Sequence, residues 1–226
     1  TKLEIIVSEG FAEKAVQTIL SVARTGKVGD GKIFVTHVDD NFLAQLTELY
    51  RERLQPQTRL LDLMSSWVSH LPEDVTFAHV EGHGMNAEEL QKNPRLDHYF
   101  VQNLNQDPLL PLPDHDFDAV LNCVSVQYLQ QPDRVFAEIY RVLKPGGVAI
   151  VSFSNRMFSQ KAIAAWREGT ELGRVKLVQR YFRAIPGFTE PEVIARRSQV
   201  PVIAQLLGMG GADPFYCVIA TKAMIG

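Results

Sequence analysis

Between Thr25 and Val35 the chain reads Thr-Gly-Lys-Val-Gly-Asp-Gly-Lys-Ile-Phe-Val. Glycines let backbone N–H groups approach an anion closely and lysines neutralise it, which is how a phosphate nest is built; a tight helix-to-strand connection uses the same glycines. A second group of polar residues follows apolar runs. Asp62 closes the run Arg59–Met64 and opens Asp62-Leu63-Met64-Ser65-Ser66-Trp67-Val68; Gly84-Met85-Asn86, Asn103-Leu104-Asn105 and Asn122-Cys123-Val124-Ser125-Val126-Gln127-Tyr128 close three more. Open α/β sheets bind ligands at the carboxyl ends of their strands, where these groups would lie. Asn122, Gln127 and Tyr128 serve equally well as polar caps on a strand–helix turn. His79 and His83 straddle a strand end with no carboxylate or thiol following at ligand spacing, so no metal site is expected.

The elements that must carry these residues alternate. Leu3–Val7 reads as a strand, Phe11–Arg24 has apolar residues at helical spacing, and Lys32–Val35 resumes as a strand, one β-α-β unit too short to bury a core of its own. Asp39 or Asp40 caps the next helix, in which Leu43, Leu46, Tyr50 and Leu54 share a face until Pro56. Strands are then expected at Arg59–Met64, Val75–Val80, His98–Asn103, Phe117–Val124, Val148–Phe153, Pro191–Arg196 and Phe215–Thr221. Helices are expected at Ala87–Lys92, Asp133–Leu143 and Gln160–Phe182, the last either covering the sheet or serving as a lid. This alternation predicts an α/β fold, a mostly parallel sheet with helices on both faces.

Composition narrows the class. The 226 residues carry a formal charge of -3, which gives no support to nucleic-acid or anionic-membrane binding. No run reaches the roughly 18 apolar residues of a membrane span, and no basic-then-apolar leader precedes the first strand. Cys123 and Cys217 sit in apolar runs and read as buried free thiols of a cytoplasmic protein. Because the chain begins at Thr1 rather than Met, further residues are expected upstream.

The string Thr25–Val35, together with the strand and helix before it, resembles the C-terminal half of the P-II nitrogen regulatory proteins, over residues 1 to about 40. The resemblance implies a ferredoxin-like half-unit and a subunit cleft that holds ATP or ADP, with Thr25, Gly29, Asp30, Gly31 and Lys32 as the contacting positions. The first β-α-β unit and the remaining nucleotide contacts of that family have no counterpart here.

Leu60-Leu61-Asp62, Val80–Asn86, Asn103–Asn105, Phe117-Asp118-Ala119-Val120 and Leu143-Lys144-Pro145-Gly146-Gly147 come in an order that resembles the class I S-adenosylmethionine-dependent methyltransferases (type 11-like), from about Thr36 onward. The resemblance implies a Rossmann-like, seven-stranded sheet with a reversed last strand and a small-molecule methyl acceptor. It places S-adenosylmethionine against Asp62, Met64, Ser65, Ser66, Gly84, Met85, Asn86, Asn103, Leu104, Asn122, Gln127 and Tyr128. Where the family has glycines after the acidic residue, this chain has Met64, Ser66 and Val68. Where it has a carboxylate for the ribose, this chain has Gly84, with Asn86 or Glu81 as substitutes. Methyl transfer needs mainly positioning, plus a base for a hydroxyl acceptor; no residue stands out as that base. The expected organisation is a P-II-like fragment at 1–38 and a methyltransferase-like domain at 39–226. The alternatives are an adenine-nucleotide-sensing regulator and an inactive scaffold of the same fold.

Overall fold

The computed structural model describes residues 38–196 and 213–224, together with two short strands near the N-terminus. Those strands, β1 (Glu4–Ile5) and β2 (Phe34–Val35), pair in parallel, the pairing that a β-α-β unit requires. The helix expected at 11–24 and the loop Thr25–Lys32 lie outside the described residues.

From Val38 onward the elements are α1 (Asp40–Arg53), β3 (Arg59–Asp62), β4 (His79–Gly84), α2 (Ala87–Gln91), β5 (His98–Val101) and β6 (Phe117–Cys123). A 3-10 turn at Val126–Tyr128 leads into α3 (Pro132–Val142), β7 (Leu143–Phe153), α4 (Ala164–Arg167), α5 (Glu171–Arg183), β8 (Glu192–Arg196) and β9 (Phe215–Thr221). Strands β3 to β9 form one seven-stranded sheet in the order β5-β4-β3-β6-β7-β9-β8. All neighbours are parallel except β9, which runs antiparallel to both β7 and β8.

Each helix sits where its apolar stripe dictates. The Asp39 carboxylate accepts from Phe42 N–H and caps α1, whose Phe42, Leu46, Leu49 and Tyr50 are buried; i, i+4, i+7 and i+8 form one face of a 3.6-residue period. That face packs on Leu60, Ala119, Leu121, Ile150 and Cys217. On the other side of the sheet, Val135, Phe136, Ile139 and Val142 of α3 and Val175, Val178 and Phe182 of α5 pack on Leu61, Val120, Ala149 and Val218. Residues from one strand enter both clusters alternately, as the two-residue strand period demands. Among the described residues no helix is long and apolar enough to cross a membrane.

Three elements differ from the sequence expectation. Strand β4 runs from His79 rather than Val75, and after Val80 its buried residues are polar or small: the buried Glu81 carboxylate bonds His79 Nε2 at 2.9 Å and His98 Nδ1 at 2.6 Å. A Cβ at Gly82 would lie 2.3 Å from Leu96 Cδ1, so any larger residue there would have to displace the end of the Leu96 side chain. The expected long helix at 160–182 is two helices, since the Thr170 hydroxyl accepts from Gly173 N–H and starts α5 anew. Leu143–Gly147 belongs to β7, its pairing with β6 shifting register between Phe117 and Ala119. There Gly146 adopts φ +82°, and the buried Lys222 ammonium donates to the carbonyls of Tyr140 and Leu143.

Candidate functional site

The sheet order puts β3 between β4 and β6, so chain connections leave β3 in opposite directions: a topological switch point, where open α/β sheets bind ligands. A cavity of about 170 Å³ opens there, over the carboxyl ends of β3 and β6. Val38, just before α1, and Leu43, in its first turn, form one wall. Asp62, Met64, Ser65, Ser66, Val68 and His70 come from the end of β3 and the segment after it, and Cys123, Val124 and Ser125 come from the end of β6.

Two properties set this cavity apart. The first is its titratable lining. Burial pushes the Asp62 carboxyl up to about 6, against which a hydrogen bond from Ser65 Oγ at 2.6 Å works only partly. Burial pushes His70 down to about 4 and raises the Cys123 thiol to about 12. At neutral pH the cavity thus presents a carboxylate, a neutral imidazole and an unreactive thiol, and among the described residues no Lys or Arg lines it. The second is backbone strain: Met64, His70 and Val124 have φ of +62°, +53° and +47°. Left-handed backbone is uncommon in non-glycine residues and a genuine outlier for a β-branched one. Such strain gathers at functional sites, where surrounding contacts hold it in place. Among the described residues, three of the five non-glycine residues with positive φ line this one cavity.

The segment Leu63–Ala78 contains no helix, and polar contacts give it its shape. Met64 N–H donates to His83 Nδ1 at 3.1 Å, Ser65 N–H to the His83 carbonyl at 2.6 Å, and Ser66 Oγ to Glu89 at 2.7 Å. The buried Asn93 carboxamide donates to the Ser66 carbonyl and to Ser69 Oγ, each at 2.9 Å, and Asn122 Nδ2 donates to the Leu63 carbonyl at 3.2 Å.

Of the positions singled out in the sequence, Asp62, Met64, Ser65 and Ser66 come together at the cavity. Gly84, Met85 and Asn86 lie at the end of β4, where Asn86 caps α2 by accepting from Glu88 N–H. Asn103 accepts from Asn105 N–H, Asn105 donates to the Tyr128 carbonyl, and Leu104 is buried in the core. Gln127 is fully buried, with Nε2 donating to the Val124 carbonyl, and the Tyr128 hydroxyl accepts from Phe158 N–H. Glu81, held by its two histidines, is not available as a ribose ligand. Within the stretch Asn122–Tyr128 the sequence singles out Asn122, Gln127 and Tyr128, whereas Cys123, Val124 and Ser125 line the cavity; His70, Val38 before α1 and Leu43 in it carry no sequence signal for the site, since His70 has no local motif around it and strain is invisible in a string of letters. Among the described residues no group of three or more His, Cys, Asp and Glu is arranged to hold a metal.

A seven-stranded sheet of this order, with one reversed strand and a switch-point cavity, is the fold of the S-adenosylmethionine-dependent methyltransferases. The comparisons agree. The structure resembles a SAM-dependent methyltransferase from Archaeoglobus fulgidus with a TM-score of 0.56 and 13% identity, over 80% of this chain and 92% of that one. It resembles Haemonchus contortus phosphoethanolamine N-methyltransferase 2, solved with S-adenosyl-L-methionine, with a TM-score of 0.54 and 15% identity, over 83% of this chain and 53% of that one.

Residues 66–151 match a family model described as methyltransferase domain, and residues 1–47 match that of the nitrogen regulatory protein P-II. The P-II protein of Pyropia yezoensis is 40% identical over 53 residues, 24% of this chain and 47% of the relative. The biotin biosynthesis bifunctional protein BioHC of Teredinibacter turnerae is 29% identical over 96 residues, 42% of this chain and 17% of the relative. The chain therefore spans less than half the length of these curated relatives.

The cavity's residues fit the amino-acid end of S-adenosylmethionine. The Asp62 carboxylate suits an ammonium. Ser125 Oγ lines the cavity buried and without a partner, and Asn122 Oδ1 nearby on β6 is likewise buried and unpartnered; buried polar atoms of this kind call for a ligand or water. The cavity is smaller than the roughly 300–1,000 Å³ of whole small-molecule sites, in keeping with one end of such a ligand. At the ribose end the fit is looser. A Cβ at Gly84 would lie 2.7 Å from the Ser65 carbonyl oxygen, so backbone occupies the place of the usual carboxylate, and Met85 to Glu88 stand exposed beyond it.

Proposed function

We propose that this chain is an S-adenosylmethionine-dependent methyltransferase acting on a small molecule. The observation that carries the reading is the switch-point cavity, with its buried carboxylate, unpartnered Ser125 hydroxyl and concentrated backbone strain. When bound, the cofactor supplies an electrophilic methyl group on sulfur. Asp62 and Ser125 would hold its ammonium group, while Met64, Val68 and Val124 exclude water and the α1 wall closes the side. Among the described residues the lining carries a carboxylate and a neutral imidazole but no Lys or Arg, so a neutral or amine-bearing acceptor suits it better than an anion. We assign this role to residues 39–226 and treat 1–38 as a P-II-like fragment.

Calorimetry with S-adenosylmethionine and S-adenosylhomocysteine tests the reading directly. Binding is expected, weakened in Asp62→Asn; no heat at millimolar ligand would overturn it and leave the inactive scaffold. A second reading, supported by the P-II match, gives Thr25, Gly29, Asp30, Gly31 and Lys32 an ATP or ADP phosphate to hold, in an assembly that completes the cleft. It expects nucleotide binding that Lys32→Ala abolishes; equal binding by the variant sinks it.

A further inference from the structure

The segment after β3 lies close against β4 although Met64, Ser66 and Val68 stand where its family pattern has glycines. We propose that His83, on β4, is the positioning residue that replaces those glycines, holding Met64–Ser66 in the shape that lines the ligand cavity, while Gly84 permits the close approach from the strand side. The proposal rests on the reading that the cavity takes S-adenosylmethionine.

The argument begins with the conformation to be held. Left-handed backbone is unfavourable for a residue with a side chain, so Met64 at φ +62° needs contacts that define it. His83 supplies them from both its side chain and its backbone. Its Nδ1 accepts from Met64 N–H and its carbonyl accepts from Ser65 N–H, fixing two consecutive peptide units. The imidazole is itself held. Nε2 bonds the Gln102 carbonyl at 3.0 Å, which makes Nε2 the donor and leaves Nδ1 the acceptor. The ring packs against Phe100 with centroids 5.1 Å apart, and the residue is only 1% exposed. Burial pushes its pKa down to about 4, so the ring stays neutral, as acceptance at Nδ1 requires.

Gly84 completes the arrangement. With Ser65 O 2.7 Å from its would-be Cβ, the missing side chain that usually belongs to the loop has moved to the strand beneath it. His83 does not itself line the cavity. It acts through Met64 and Ser65, which do.

Two variants separate positioning from mere packing. His83→Leu removes the acceptor; His83→Asn keeps an oxygen near the place of Nδ1. Trp67, half-buried in the segment, reports its position, because the other tryptophan, Trp166, is fully buried. Acrylamide quenching of Trp67 is expected to rise about twofold in His83→Leu and to stay near wild type in His83→Asn, as local opening without global unfolding allows. S-adenosylhomocysteine affinity is expected to fall about tenfold in the first and to be largely rescued in the second.

Unchanged quenching in His83→Leu overturns the proposal, as does equal loss in both variants. Quenching needs no ligand, so a wild-type protein that binds no S-adenosylhomocysteine overturns the proposed function while the quenching still decides on His83. Should His83→Leu fail to fold, nitrogen NMR of the wild-type ring decides: a protonated Nε2 with a bare Nδ1 supports the assignment, and the opposite tautomer sinks it.

Discussion

Two connections at the same end of the sheet are built in opposite ways. Between β6 and β7 the chain turns through a 3-10 segment into α3, whose Val135, Phe136, Ile139 and Val142 are buried in the core. Between β3 and β4 it makes no helix at all, and single polar contacts from His83, Asn93 and Asn122 hold it. The first connection is held by area removed from water, which tolerates variation of detail. The second is held by individual hydrogen bonds at strained residues, where each contact has one geometry. The frame is robust and the ligand-facing segment is specific.

Phe136→Ala strikes the frame and should have the largest effect. Phe136 is 1% exposed and meets the Phe182 ring edge-on at 4.8 Å, so truncation should cost about 3–5 kcal/mol, read as a fall in the denaturant midpoint.

Acid should strike the other connection. His70 and His83 are held near 4, below the ordinary value of about 6.5, so the unfolded chain protonates first. Their stabilising contribution is complete above about 6.5 and is lost as pH falls toward 4, about 3 kcal/mol for each. Asp62, raised to about 6, works the other way: the folded state takes up its proton first, which offsets about 2 kcal/mol over the same range. A net loss of about 3–4 kcal/mol between pH 7 and pH 4 is expected from urea titrations, growing larger in Asp62→Asn. A flat profile would show that the strained segment is not where the cost of acid falls.

Gly84→Ala should come next. Its methyl group would press on the Ser65 carbonyl, costing about 1–3 kcal/mol and weakening S-adenosylhomocysteine binding more than Phe136→Ala does at matched stability. Met64→Gly should be the smallest. It relieves the φ of +62° but loosens the unfolded chain, so thermal melting should move by less than the equivalent of about 1 kcal/mol in either direction. A large loss would mean that the Met64 side chain, rather than its backbone, carries the contact.

The same contrast explains what could be read in advance. Helix α3, strands β6 and β9 and the methyltransferase order of landmarks were legible because apolar periodicity and the Leu143–Gly147 step are local. Strand β4 lies four residues beyond the expected start at Val75, because past Val80 its interior is filled by the hydrogen-bonded Glu81 and His83 and by glycines rather than by apolar residues. At the cavity, Asp62 through Ser66 were legible from their place after a strand. His70 and Val124 were not, since their role arises from backbone that neither residue prefers, and Val38 and Leu43 arrive from the entry and first turn of a helix that precedes the first strand of the main sheet.

The position of β9 has one more consequence. It is synthesised after every other strand of the main sheet, yet it lies inside that sheet, between β7 and β8. While the chain is still emerging from the ribosome, β7 therefore offers a bare edge and β8 has no neighbour to join. Only when Phe215–Thr221 is released can it slot between them, with Lys222 following to seat its ammonium on the carbonyls at the end of α3. Closure of this sheet thus waits on the strand that comes last in chain order, and until then the vacant edge of β7 is open to pairing with any other strand.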